Sequence, residues 1–402
     1  MKDLEKKARA YALKNAISYD GKSQLGSVIS ALFNEGLKKT EVGKYSKKIS
    51  LIVKEINSLT IEEQKKQFKQ FKNKISEREG REGLQDLPEV KGKKGVSMRF
   101  APSASGPLHI GHAMTASLSY LYVKKYEGQF YIRIEDTNPE NIYPNSYKMI
   151  SSEAKWLFEN TSKIIIQSDR MNLYYKYAES LIKKKFTYVC TCSPEQFEEY
   201  TKGKTNCPCR KLSVKENLER WKKMLDKKGF EQGEAVLRFK SLEGMKSKNP
   251  AMRDFPLARI NLTKHPRQKT KYRVWPLMNL AVSVDDIDLK TTHIIRGKDH
   301  RDNAKKQEMI FKVLGKKIPW TGFLGKFKFK DLELSTTKIK EEIEKGKFNG
   351  WDDPKLPTIA SLKKQGYKPK AFWKFAEQIG LSEIDKVMDK KEFFTLLNSF
   401  NK

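Results

Sequence analysis

Long apolar runs are missing from these 402 residues. Nothing approaches the roughly 18 consecutive apolar residues that cross a bilayer, so neither a transmembrane helix nor a membrane partner is expected. The opening Met1-Lys2-Asp3-Leu4-Glu5-Lys6-Lys7 has no apolar signal core, which points to a cytoplasmic protein. Cysteine is scarce. All four lie between Cys190 and Cys209, in two close pairs, Cys190-Thr191-Cys192 and Cys207-Pro208-Cys209. In a cytosolic chain such pairs favour a metal over disulfides. Acidic residues are outnumbered, 49 against 81 Lys and Arg, for a net charge of +32. The basic residues run along the whole chain, which argues against a detachable basic tail. A lysine-rich solvated surface and a polyanionic partner, nucleic acid above all, both account for the excess. Hydrophobic residues reach only 38%, but aromatics make up 11%, so a sizeable core can form. The length allows two to four domains.

Residues 1–90 read as helical and carry no evident chemistry. Apolar residues recur at helical spacing over Leu25–Leu37 and Ile49–Leu59, and Thr60 with Glu63 suits a helix start. The charged run Lys65–Arg81 reads as a solvated helix. Gly80, Gly83, Pro88, Gly92 and Gly95 mark a linker. No internal repeat is present.

The most informative stretch follows. Val96–Ala101 is a short apolar run of strand type, Pro102–Pro107 is turn-forming, and a helical pattern with His109, Gly111 and His112 at its start runs to about Tyr126. Strand, tight turn and helix N-terminus make an anion site, because free N–H groups and the helix dipole face the ligand. Phe130–Ile134 is a second strand, so a parallel βαβ unit is expected, with ligands at the carboxyl ends of its strands. Arg99 with Ser103, and Glu135 with Asp136, fall near those ends. An arginine and a carboxylate there can hold a zwitterion such as an amino acid. Residues 161–285 read as an insertion with helices over Leu173–Lys185 and Val214–Lys228 and strand-like segments Glu234–Phe239 and Asp254–Ile260. Leu280–Val284 is strand or helix, Thr292–Arg296 a buried strand, Asn303–Leu314 a helix, and residues 338–402 mostly helical. Arg133 and Asp136 invite a structural ion pair; Asp285 and Asp286 read more readily as caps than as metal ligands.

Pro107-Leu108-His109-Ile110-Gly111-His112 spells the HIGH signature of class I aminoacyl-tRNA synthetases. With Arg99-Phe100-Ala101-Pro102-Ser103 before it and Arg133-Ile134-Glu135-Asp136-Thr137-Asn138-Pro139 after it, the set resembles the glutamyl/glutaminyl subgroup. Tyr272–Pro276, Val284–Asp286, His293–His300, Leu334–Ile339 and Gly350–Pro357 resemble its archaeal-type glutamyl-tRNA synthetases.

That resemblance implies an α/β fold, a Rossmann-type nucleotide-binding core carrying an inserted acceptor-end-binding domain. It further implies an organisation into a helical extension (1–92), a first catalytic half (93–188), the insertion with the cysteines (189–278), a second catalytic half (279–337) and a helical stem-contact subdomain (338–402). Glutamate and ATP would give glutamyl-adenylate, and the glutamyl group would pass to the terminal ribose of tRNA(Glu), with tRNA(Gln) as a second candidate acceptor. His109 and His112 would contact the ATP phosphates, and Gly106, Gly111, Asp299 and Lys338 would complete the ATP site, Gly111 leaving room for adenine and Asp299 meeting the ribose. Mg²⁺ would arrive with ATP. Arg99, Ala101, Ser103, Glu135, Asn279 and Arg296 would hold L-glutamate. The second signature loop, KMSKS in this class, has Thr336 in place of the lysine after its serine, so Ser335 and Lys338 are the expected substitutes. Met278 stands where bacterial relatives place a pocket tyrosine. Cys190, Cys192, Cys207 and Cys209 would bind a structural zinc, shaping a loop near the tRNA acceptor end. Relatives continue beyond this point into anticodon-reading β-barrels; a truncated chain, a separate polypeptide carrying them, or their loss are the open expectations. A paralogue that glutamylates another acceptor and a non-catalytic tRNA-binding module are the alternatives.

Overall fold

The structure, a computed structural model, describes residues 2–33, 35–71, 74–75, 83–90, 95–159 and 163–402. It divides into two compact units, Met1–Glu82 and Gly83–Lys402. The first is a cluster of four helices: α1 (Lys2–Ser18), α2 (Leu25–Phe33), α3 (Val42–Asn57) and α4 (Ile61–Phe71). Ala8, Ala12, Leu13 and Ala16 on one stripe of α1 pack against Val28 and Leu32 of α2 and Ile49, Val53 and Ile56 of α3. The small alanines let the helices approach closely. At the start of α4 the Thr60 N–H donates to the Glu63 carboxylate at 2.8 Å and the Glu63 N–H to Thr60 Oγ1 at 3.3 Å, the reciprocal cap expected there. Helix α4 takes in the start of the charged run. Most of the run beyond Phe71, like much of the expected linker, lies outside the described residues. The part of that linker that is described is not loose, since Leu87 is buried in the core of the second unit and its N–H donates to Tyr126 Oη.

In the second unit β1 (Ser97–Phe100), α5 (Ile110–Lys125) and β2 (Gln129–Ile134) form the expected βαβ motif, with β1 and β2 parallel. Helix α6 (Ser146–Leu157) leads to β3 (Lys163–Ile166), parallel to β2. An insertion of α7 (Met171–Lys183), β4 (Thr187–Cys190), α8 (Pro194–Lys202), α9 (Val214–Leu225), β5 (Val236–Phe239), β6 (Pro256–Ile260) and β7 (Val274–Pro276) follows. Its four strands make an antiparallel sheet in chain order, and the sheet shares one apolar core with α7 and α9. Segment 280–284 proves helical, inside α10 (Met278–Asp288), where a nearly unbroken buried run leaves no period to choose by. Next come β8 (His293–Gly297), α11 (Arg301–Val313) and β9 (Trp320–Leu324). Strand β8 pairs parallel with β9, and the Thr292 N–H, just before β8, donates to Ser97 O at the start of β1. The chain thus lays strands outward on both sides of β1, and the crevice between the carboxyl ends of β1 and β8 is the place where such sheets take ligands.

The remainder is β10 (Phe327–Phe329), α12 (Thr336–Glu344), α13 (Ile359–Lys364), α14 (Pro369–Ile379), β11 (Lys386–Met388) and α15 (Lys390–Phe400). Helices α13, α14 and α15 bury Ile359, Phe372, Phe375, Phe393 and Leu397 in the same core as β1 and α5. The three-residue strands β10 and β11 pair in parallel; of the two, β11 lies within residues 338–402, expected to be mostly helical.

Candidate active site

Two polar constellations flank the β1 and β8 ends. The first is built on Asp286 and Asp285 of α10. Asp286 accepts Arg99 Nε and Nη2, each at 3.2 Å, and Arg133 Nη1 at 2.7 Å. Arg133 turns its Nη2 to Glu135 at 2.9 Å. Asp285 accepts Arg170 Nε at 2.7 Å, Gln167 Nε2 at 2.8 Å and Tyr174 Oη. Neither aspartate caps a helix; both are buried anchors for arginines. Nor do Arg133 and Asp136 pair, because Asp136 instead accepts Tyr147 Oη and the Ser168 N–H and lies 3.5 Å from His265. The Arg99 and Arg133 guanidiniums pull the Asp286 carboxyl below its ordinary range against the opposing effect of burial.

Arg296 extends from β8 into the same group. Its Nη1 donates to Gln307 Oε1 at 2.9 Å, and Gln307 Nε2 donates to Asn279 Oδ1 at 3.2 Å. Gln307, one helical face away on α11, had no sequence signal. Arg296 Nε is buried without a hydrogen-bond acceptor, and burial followed by repulsion from Arg99 lowers its pKa to about 10. An underpaired buried guanidinium beside a second one favours an anionic guest. Glu135 and Ser103 complete the rim, joined as backbone bridge partners, with Ala101 between Arg99 and Ser103 in sequence. Met278 is partly exposed and Asn279 buried.

The second constellation is the histidine cavity. His109 caps α5, its Nδ1 accepting the Gly111 N–H at 3.1 Å, which leaves the ring proton on Nε2. The two imidazoles stack with centroids 3.7 Å apart. Burial, then the neighbouring His112, holds His109 well below the ordinary imidazole range, and burial takes His112 down to about 4. Both are neutral at pH 7 and act as hydrogen-bonding rings rather than cations. A Cβ at Gly111 would meet the His109 ring at 3.1 Å. The glycine therefore makes room for the histidine, a nearer reason than adenine. Two of the helix's leading N–H groups are already engaged, Ile110 by Pro357 O and Gly111 by His109, so the anion site at this N-terminus is narrower than the sequence predicts.

His109, Gly111, His112 and Asp299 line one cavity of about 330 Å³, with Met114, Leu118 and Leu324 as apolar wall and Lys326, Lys328 and Lys386 as cations. The three lysines were not singled out in sequence, because nothing local distinguishes them from the many others. Of the second signature loop only Leu334 lines the cavity. Ser335 caps α12, accepting the Lys338 N–H at 3.4 Å, and Lys338 Nζ lies 2.9 Å from Glu333 on the exposed side. The two signature loops nevertheless touch: Ser105 Oγ and Thr336 Oγ1 are 3.4 Å apart, and a Cβ at Gly106 would press on Trp351 and Thr336 at 3.3–3.4 Å.

The cysteines converge in the insertion. All four Sγ atoms lie within 4.8 Å of one another, with Cys190–Cys207 at 3.5 Å, Cys192–Cys207 at 3.3 Å and Cys192–Cys209 at 3.9 Å. Four thiolates about 2.3 Å from a tetrahedral zinc sit roughly 3.8 Å apart, so the donor set fits that ion.

The family described as tRNA synthetases class I (E and Q), catalytic domain, matches residues 95–399. The chain belongs to this family. The synthetase is 42% identical over 389 residues to a glutamate–tRNA ligase of Methanothermobacter marburgensis, covering 96% of this chain and 69% of that one. It is 40% identical over 395 residues to the glutamate–tRNA ligase of Pyrococcus furiosus, covering 95% and 68%. A solved glutamate–tRNA synthetase from Elizabethkingia anophelis aligns with 75% of this chain and 70% of its own at a TM-score of 0.52 and 21% identity, a likeness of fold alone. The synthetase's α/β core with added helical parts agrees with that likeness. Among its described residues no helix is long and apolar enough to cross a membrane.

Proposed function

We propose that the chain is a glutamate–tRNA ligase. It joins L-glutamate to ATP, the α-carboxylate attacking the α-phosphorus to form glutamyl-adenylate as pyrophosphate leaves. A terminal ribose hydroxyl of tRNA(Glu) then attacks the acyl carbon and AMP leaves. The observation that carries the substrate is Arg296, buried and underpaired in one charged group with Arg99 and Glu135. Arg99 and Arg296 meet carboxylate, Glu135 meets the α-amino group, and Ser103, Ala101 and Asn279 shape the space between.

The adjoining cavity takes ATP. Neutral His109 and His112 donate hydrogen bonds toward the phosphates, where charge develops as pyrophosphate departs. Asp299 is an exposed carboxylate on the cavity wall, suited to the ribose hydroxyls. Mg²⁺ enters with ATP, held mainly by its phosphates. Ser335 and Lys338 belong to a loop that touches the histidine loop through Thr336, and they position that loop against the ATP site, with Lys338 held by Glu333. Zinc held by Cys190, Cys192, Cys207 and Cys209 ties the insertion's loop and takes no part in the chemistry. The sulfur spacing supports it. One equivalent of bound zinc, and a melting temperature that drops on chelation, is the expected result.

The test of the whole reading is aminoacylation by the isolated chain, with tRNA(Glu) and tRNA(Gln) transcripts offered in parallel. Glutamate should be esterified to tRNA(Glu), and pyrophosphate exchange should require tRNA. Failure to charge either transcript, with ATP and zinc present, would refute the proposal. Charging of tRNA(Gln) as well would assign the chain the broader specificity.

A further inference from the structure

A lysine beside the phosphates is the piece that the second signature loop lacks. Thr336 occupies its place, and Lys338 is 68% exposed and bound to Glu333. The histidine cavity, however, already holds a lysine brought in from elsewhere in the chain. Lys386 opens β11 directly opposite Phe327 of β10, so its side chain shares the face of Phe327 and Phe329, which pack on the core. It lines the cavity together with His109, His112 and Asp299. Burial lowers its pKa, and among the described residues no carboxylate offsets that burial.

The surrounding backbone is built to put it there. A Cβ at Gly325 would lie 2.1 Å from Ile384 O, so only glycine lets the 384–386 segment cross so close to β10. Asp385 pins the crossing, accepting the Lys326 N–H at 2.7 Å and Lys298 Nζ at 2.7 Å. The Lys386 N–H donates to Lys326 O at 2.9 Å. Asp385 thus spends its charge on Lys298 and leaves Lys386 free to face the cavity.

We propose that Lys386 supplies the cation for the ATP phosphate chain that the second signature loop does not provide, with the exposed Lys326 and Lys328 at the cavity's rim. This rests on the ligase reading above. A partly desolvated ammonium beside two neutral imidazoles is a stronger phosphate ligand than an exposed lysine already paired with a glutamate.

The experiment is ATP–pyrophosphate exchange, with glutamate and tRNA saturating, on the wild-type chain and on K386M, K386R and K338M. Losing one charge-assisted contact predicts that K386M raises the KM for ATP, or lowers kcat, by about 10- to 100-fold. The glutamate KM should move less than about twofold, and K386R should recover most of the loss, which a merely structural defect would not show. K386M within twofold of wild type overturns the proposal, and a loss confined to K338M assigns the cation to Lys338. A wild-type chain inactive with glutamate would instead sink the ligase reading. Calorimetric titration of ATP into wild type and K386M then decides the lysine's role separately, equal affinities refuting it.

Discussion

Asp286 accepts hydrogen bonds from two guanidiniums at once while buried, and this makes it the residue on which the proposed glutamate end of the site depends. Replacing it by asparagine keeps the shape but strands Arg99 and leaves Arg133 to Glu135 and Asp285. Removing one partner of a buried ion pair typically costs about 3–5 kcal/mol, so Asp286→Asn should lower urea-unfolding stability by roughly that amount. Arg296→Gln should behave differently. Its guanidinium is underpaired, so folding should suffer little while the KM for glutamate rises about tenfold or more, as steady-state exchange kinetics would show. The histidines carry a pH signature. His112 titrates near 6.5 when unfolded and near 4 when folded, so the unfolded chain binds the extra proton between those values. Stability should therefore fall as pH drops from about 6.5 to 4, and His112→Asn should flatten that part of a melting-temperature profile. The arginines and histidines of the candidate site were legible because they sit in short ordered motifs. Their anchors were not. Asp285 and Asp286 looked like caps because their partners, Arg99, Arg133 and Arg170, come from more than a hundred residues away.

At the level of elements, the histidine loop is held from outside its own strand and helix. Glu153 of α6 accepts the Leu108 N–H at 2.7 Å, one residue before His109. Burial pushes its carboxyl up to about 8, against an ordinary value near 4.5, so its protonated form is favoured in the fold. The stability it adds is present below the unfolded value and lost as pH rises through about 8. Glu153→Gln keeps a neutral acceptor and should therefore gain melting temperature relative to wild type between pH 6 and 8.5. An unchanged difference across that range would refute it. The β1–α5–β2 motif could be read directly, since apolar runs, turn residues and a helix period coincide there. Strands β10 and β11 could not: each is three residues long, and their partners lie almost sixty residues apart in sequence. The cavity lysines were hidden for the same reason, because only that pairing distinguishes Lys386 from any surface lysine.

For the whole molecule, a net charge of +32 makes association with tRNA largely a matter of displaced counterions. Equilibrium binding should weaken at least about tenfold between 50 and 200 mM salt, with a linear log–log slope; a flat response would mean that the charge is only a solvated surface. The second unit also closes on itself over a long stretch of chain. The Ile110 N–H donates to Pro357 O at 3.0 Å, the Ile359 N–H donates to Leu108 O at 2.9 Å, and His109 bridges Thr358. During synthesis, then, the nascent chain emerges with its nucleotide strand, helix and second strand complete long before the loop between them is locked. The proposed ATP site is assembled only once residues 357–359, and the cavity-lining Lys386 after them, have emerged, so a half-made chain would not consume nucleotide.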